Sequence, residues 1–235
     1  MKNSLKYLLI TGLGMMAFAC KKDNYPQPGA ILTGNLLYQK DTIYVERNAV
    51  HFQIYQYGFG QVGPISNDET FAQNGSYSAA LFNGDYKLII PNGDGPFMWK
   101  QTASGAPDSV SISMKGNQTV DLEVTPYYLI GGTQISASGG NVTANFKIDK
   151  VITDANAKDI ESVSLYINKT QFVSGSNNIA STTVEGSDIT NPASVSLSVA
   201  IPTITPTQNY VFARVGLKIA GVEDMIFSPL IQVSF

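Results

Sequence analysis

"NGSYSAALFNGDYKLII" (residues 74–90) decides the fold. Its second half sets Tyr86, Leu88 and Ile90 on one side of an extended chain and Asp85 and Lys87 on the other, the period of two that a half-buried strand requires. Asn-Gly pairs at Asn74-Gly75 and Asn83-Gly84 bound the two runs, as turn residues bound strands. The same grammar extends in both directions. "ILTGNLLY" and "VHFQIYQY" precede the stretch, and "SVSISM" and "TVDLEV" follow it, with no helical period sustained between them. In the second of these, Val50, Phe52 and Ile54 make the apolar face. Strands with one apolar face are stable only when stacked on another sheet, so a β-sandwich is expected.

A boundary falls at Thr125 to Tyr127, where the last strand has finished and Pro126 cannot donate to a ladder. The pattern then restarts in "LIGGTQISAS", "NVTANFKID", "SVSLYIN", "SVSLSVAIP", "YVFARVGLKIAG" and "SPLIQVSF". Six or seven strands in the remaining length match the size of one immunoglobulin-like sandwich. The fold class is therefore all-β, with a first domain over residues 31–126 and a second over 127–235. Composition agrees, since only 14% of the 235 residues are charged and the chain carries 21 glycines.

The first twenty residues, "MKNSLKYLLITGLGMMAFAC", set Lys2 and Lys6 before an apolar run that ends in small residues, which is the pattern of a signal peptide over residues 1–19. From Tyr7 to Ala19 the run is shorter than the roughly 20 residues a membrane span needs. Cys20, the sole cysteine, stands where cleavage would occur, as a lipobox cysteine does. Residues 20–30 then read as a lipidated cysteine with a tether, kept extended by Pro26 and Pro28. Acyl chains at about 0.8 kcal/mol per buried methylene make the membrane the first expected partner. Removing Lys2 and Lys6 from 15 basic side chains leaves 13 against 18 acidic, a net charge of −5 that repels nucleic acid.

Reactive groups are scarce. A serine-type triad needs a histidine base, and only His51 is present, out of phase with the apolar residues of its strand. Zinc and redox metals need several His or Cys ligands, so no metal or other cofactor is expected. "DANAKDIE" (154–161) gathers oxygens, but Lys158 occupies the fifth position of a calcium loop and the required glycine is missing. Asp85 and Asp94 each adjoin glycine and read as turn residues. No enzyme activity is expected. Binding needs less equipment. His51, Gln53, Tyr55 and Tyr57 form the second face of "VHFQIYQY", a candidate surface for stacking on sugar rings, unless loop 58–72 covers it or the tyrosines are simply tolerated outside. Trp99, beside Phe97 and Met98, is a candidate ligand residue or a cap packed against the second domain.

"NGSYSAALFNGDYKLII" resembles the glycine–aromatic element of carboxypeptidase-regulatory-like, transthyretin-like (prealbumin-like) sandwiches, which implies that Tyr77 and Tyr86 point inward from adjoining strands. The stretch from Tyr210 to Ser228-Pro229 resembles the end of a fibronectin type III domain, with Tyr210 as its corner tyrosine. With "CKKDNYPQPGAILTGNLL" and "GNQTVDLEVTPYYLI", the chain resembles a two-domain Bacteroidetes lipoprotein family of unknown function from polysaccharide-utilisation loci. Lys21, Lys22 and Asp23 also resemble, in part, that phylum's surface-export signal. The resemblance implies a surface glycan-binding lipoprotein of the outer membrane, with polysaccharide as partner. The alternative it leaves open is an assembly protein that contacts an outer-membrane transporter.

Overall fold

The computed structural model describes residues 27–56 and 63–235. Leu32, Gly34 and Leu36 face inward from β1 (Ala30–Tyr38), which pairs antiparallel with β4 (Ser76–Leu81) from Ala30↔Leu81 to Asn35↔Ser76. On its other side β1 runs parallel to the two-residue segments Gln118–Thr119 and Leu122–Glu123. The facing sheet has the order β3-β2-β5-β6, built from β2 (His51–Gln56), β3 (Ser66–Thr70), β5 (Gly84–Ile89) and β6 (Val110–Met114). Between the sheets, Phe52, Phe71 and Tyr77 meet with ring centroids 4.9 to 5.7 Å apart, tilted or edge-on as the ring quadrupoles prefer. Tyr77 and Tyr86 point inward, and their hydroxyls donate to Val120 O and Phe82 O.

Residues 66–70 belong to the stretch read as loop from sequence. They form an edge strand, pairing His51↔Thr70 and Phe52↔Glu69 before a register shift. "SNDET" has no apolar alternation because an edge strand is held by backbone hydrogen bonds and is kept polar against further pairing.

The boundary is a bridge rather than a free linker. Thr125–Pro126 pairs with Phe97–Met98, and the Tyr127 N–H donates to Pro96 O. The second domain opens with a hairpin of β7 (Tyr128–Ser138) and β8 (Asn141–Lys150). Its two-residue loop, Gly139-Gly140, has φ values of 58° and 78°, the left-handed pair that matches strand twist. One sheet of this sandwich has the order β7-β8-β11, with β11 at Val195–Ala200. The other contains β9 (Ile160–Asn168), β10 (Ala180–Glu185), β12 (Tyr210–Ile219) and β13 (Ile231–Ser234), with Ile226–Phe227 beside β12. The chain is thus two β-sandwich domains in series.

β9 and β12 are buried on both faces. Val163, Leu165 and Ile167 belong to the main core, whereas Tyr166, Arg214 and Gly216 lie out of phase with them and are still buried. The first domain supplies part of the cover, because Tyr44 bridges to Phe227 and the Phe227 N–H donates to Tyr44 O at 3.0 Å. Tyr210 does not act as a corner tyrosine: no hydrogen bond of its hydroxyl to backbone occurs among the described residues. Strand alternation places its ring beside Phe212, edge-on at 5.7 Å.

Candidate interdomain site

"PNGDGPFMWKQ" (91–101) links β5 to the rest of the first domain and meets the second domain. Its sharp path needs glycine. Gly95 has φ of 90°, and a Cβ there would lie 2.4 Å from the Phe97 ring. The Gly95 N–H donates to Asp224 Oδ2 at 2.8 Å, pinning the loop to the second domain.

Trp99 follows. The indole is only 6% exposed, and Nε1 donates to Asp108 O at 2.7 Å, so it is a wall of the junction and not a projecting platform. Two depressions share that wall. One, of about 380 Å³, is lined by Asn92, Asp94 and Gln101 from the first domain and by Lys158 and Glu223 from the second, with Tyr127 of the boundary between them. The other, of about 440 Å³, lies among Tyr38, Lys100, Glu123, Thr153 and Asn156.

The first cleft has the denser chemistry. Tyr127 is half-buried, burial pushes its hydroxyl pKa up, and Lys158 Nζ lies 5.8 Å from its ring centroid. Burial also raises the Asp94 carboxyl above its ordinary range; His51 opposes this, while Asp224 and Glu223 add to it. Asp224 is raised chiefly by burial as well, with the Gly95 N–H as the first opposing influence. His51 lowers the Asp224 carboxyl as well, through charge alone. Aromatic wall, amides, carboxylates and one ammonium together can stack on an apolar ring face and exchange hydrogen bonds with hydroxyls. Among the described residues no cluster of three or more His, Cys, Asp or Glu side chains is arranged to hold a metal ion.

The sequence candidates divide accordingly. Trp99 lines the cleft, and His51, half-buried on β2, is not among its lining residues. Gln53 and Tyr55 stand half-buried on the outer flank of β2, where the Tyr55 hydroxyl donates to Gln53 Oε1 at 2.8 Å. Tyr57 and Cys20, like residues 1–19, lie outside the described residues. Sequence reasoning had no route to Tyr127 or Glu223 as site residues, because they come from the boundary and from a turn after β12. From sequence, Lys158 belongs to a charged loop and Asp94 is a turn residue. In "DANAKDIE", Asp154 Oδ1 accepts the Asn156 N–H at 2.8 Å and so closes a local turn.

Two family models match in succession: the N-terminal domain of a protein of unknown function (DUF3823) over residues 30–125, and a domain of unknown function (DUF3823_C) over 128–232. A DUF3823 family protein from Parabacteroides merdae is 32% identical, with TM-score 0.76, covering 90% of this chain and 100% of its own. One from Bacteroides ovatus is 29% identical, with TM-score 0.75, covering 87% and 98%. The fold is also that of a Bacteroides uniformis protein described as a candidate carbohydrate binding protein, at 16% identity and TM-score 0.64, covering 88% and 100%. No curated protein matches the chain. Matched across both of its sandwiches, the chain belongs to the DUF3823 family, a two-domain Bacteroidetes family of unknown function.

Proposed function

We propose that the protein is a non-catalytic glycan-binding lipoprotein, held on the outer membrane through Cys20 as an accessory of a polysaccharide-utilisation system, and that it takes its ligand in the cleft between the domains. The observation that carries this reading is the cleft itself: Trp99 and Tyr127 in its walls, ringed by Asn92, Asp94, Gln101, Lys158 and Glu223. Sugar rings present an apolar face and a rim of hydroxyls, and this site offers the complement of both. The fold shared with the Bacteroides uniformis candidate carbohydrate binding protein supports the ligand class.

A glycan array followed by calorimetry tests it. Saturable binding is expected, weakened about tenfold or more by Tyr127→Ala and by Glu223→Gln, each removing roughly 1–2 kcal/mol of contact. Binding lost instead with Tyr55→Ala would move the site to the outer flank of β2. An array that stays blank while crosslinking recovers a transporter would replace this reading with that of an assembly protein. For the anchor, Cys20→Ala should release the chain from the membrane fraction.

A further inference from the structure

Across the junction from the cleft, Arg214 is buried to 1% exposure with no carboxylate ion-paired to it among the described residues. Its Nε donates to Val173 O of the second domain and its Nη1 to Val45 O of the first, at 3.1 Å, while the guanidinium stacks 3.7 Å from the Phe227 ring centroid. These described bonds use two of the five N–H donors of an arginine. Fully buried arginines without a matched anion are rare, and burial lowers the Arg214 pKa to about 10, partly offset by Glu46.

Arg214 lines a cavity of about 150 Å³, room for several waters or a small ligand. Arg47, stacked 4.6 Å from the Phe172 ring, lines it too. Glu46 is the one carboxylate in the lining, and it already accepts the Ser176 hydroxyl at 2.7 Å. Two guanidiniums therefore stand against one partly used carboxylate. Gln73 completes the wall. Its Nε2 donates to Gln171 O at 2.8 Å, which fixes the amide's orientation and leaves Oε1 buried with no hydrogen-bond partner. The cavity thus offers surplus donors of positive charge beside one unfilled neutral acceptor.

We propose that this cavity is a binding site for an α-hydroxy carboxylate, whose carboxylate meets the guanidiniums of Arg214 and Arg47 while its hydroxyl donates to Gln73 Oε1. A plain carboxylate would leave the amide oxygen empty, and a neutral polyol would leave the charge unmatched. Two sources present this group: the aldonate end of an oxidised glycan, whose C2 hydroxyl adjoins its carboxylate, and a free small hydroxy acid. The site is separate from the cleft and stands or falls independently of it.

The test titrates the full chain in detergent at constant chloride with glycolate, gluconate and lactobionate, using acetate and galactose as half-ligands, and reads melting temperature and calorimetry. Glycolate and gluconate should bind saturably and more tightly than acetate. Arg47→Ala should weaken both about tenfold or more, and Gln73→Ala should abolish the preference for glycolate over acetate. Arg47 is exposed and Gln73 half-buried, so neither test depends on replacing the fully buried Arg214. Tyr127→Ala, a cleft change, should leave the glycolate response as it was, which separates failure here from failure of the glycan reading. Lactobionate binding at least as well as gluconate assigns the glycan-end source, and its exclusion assigns the free acid. Absence of a saturable response to either acid, or a response unchanged by Arg47→Ala and Gln73→Ala, overturns the proposal.

Discussion

Replacing Gly34 by alanine tests how the first sandwich closes. Gly34 sits mid-strand in β1 in phase with the buried Leu32 and Leu36, where a side chain would be expected. An added Cβ would lie 1.9 Å from Val120 O and 2.6 Å from Tyr77 Cε1. The Tyr77 ring occupies the space the missing side chain leaves, and its hydroxyl donates to that same Val120 oxygen at 2.6 Å. Gly34→Ala must therefore push β1 away from the segment at Val120 and break the tyrosine bond. Overpacking costs about 1–3 kcal/mol and the lost hydrogen bond about 1 kcal/mol, so a loss of roughly 2–4 kcal/mol is expected. For a chain of this size about 1 kcal/mol moves the melting temperature by 2–4 °C, which makes the shift roughly 4–16 °C downward by calorimetry. Tyr77→Phe, which breaks only the hydrogen bond, should cost about a quarter to a half of that. A Gly34→Ala protein melting within about 2 °C of the parent would refute the argument.

Trp99→Phe should lower stability by about 1–3 kcal/mol by orphaning Asp108 O, as read in denaturant melts. The chain's single tryptophan lines the cleft, so a glycan bound there should shift its fluorescence, and one bound on the β2 flank should not. Burial raises Asp94 and Asp224 in the folded state, so the fold binds protons more readily than the unfolded chain. The contribution of these groups to stability should then rise as pH falls from neutral through their folded pKa values, levelling off below the ordinary aspartate value. Asp224→Asn keeps an oxygen for the Gly95 N–H, and the difference between its melting curve and the parent's should shrink on acidification. A difference constant from pH 7 to pH 4 would count against a raised Asp224.

Much of the architecture was open to reading from the chain alone because a period of two fixes which residues face inward. Tyr86 and Leu88 needed nothing beyond their own strand, and Tyr77 followed from the resemblance. Ser66–Thr70 and Ala180–Glu185 escaped, since edge strands are held by main-chain bonds and "SNDET" and "ASTTVE" carry no strong apolar face. Arg214 escaped for a different reason. In "YVFARVGLKIAG" it alternates as an outward residue should, and the cover over that face comes in part from a segment some 170 residues earlier, at Tyr44 and Val45. Trp99 is buried and lines a cleft at once, so a lone tryptophan after Gly-Asp-Gly-Pro does not by itself tell core from surface. The cleft itself had no sequence signature: its groups come from separate turns, and turns carry no period.

That dependence on distant turns bears on how the site can work. Two domains joined by a short linker move relative to one another by default unless the interface prevents it. Here the junction is fastened on both sides of the chain crossing. On the cleft side, Gly95 donates to Asp224 and the Tyr127 N–H donates to Pro96 O. Opposite, Tyr44 bridges to Phe227, Arg214 reaches Val45 O, Gln73 reaches Gln171 O, and Ser176 donates to Glu46. Fasteners on one side would leave a hinge; fasteners on both resist opening about either edge. The spacing between Tyr127 and the Asp94–Glu223 rim is then set before a ligand arrives, so affinity need not be spent on ordering the domains. A site of this kind discriminates by fit: a ligand too wide for the cleft is excluded outright, where a hinged pair of domains would open to admit it.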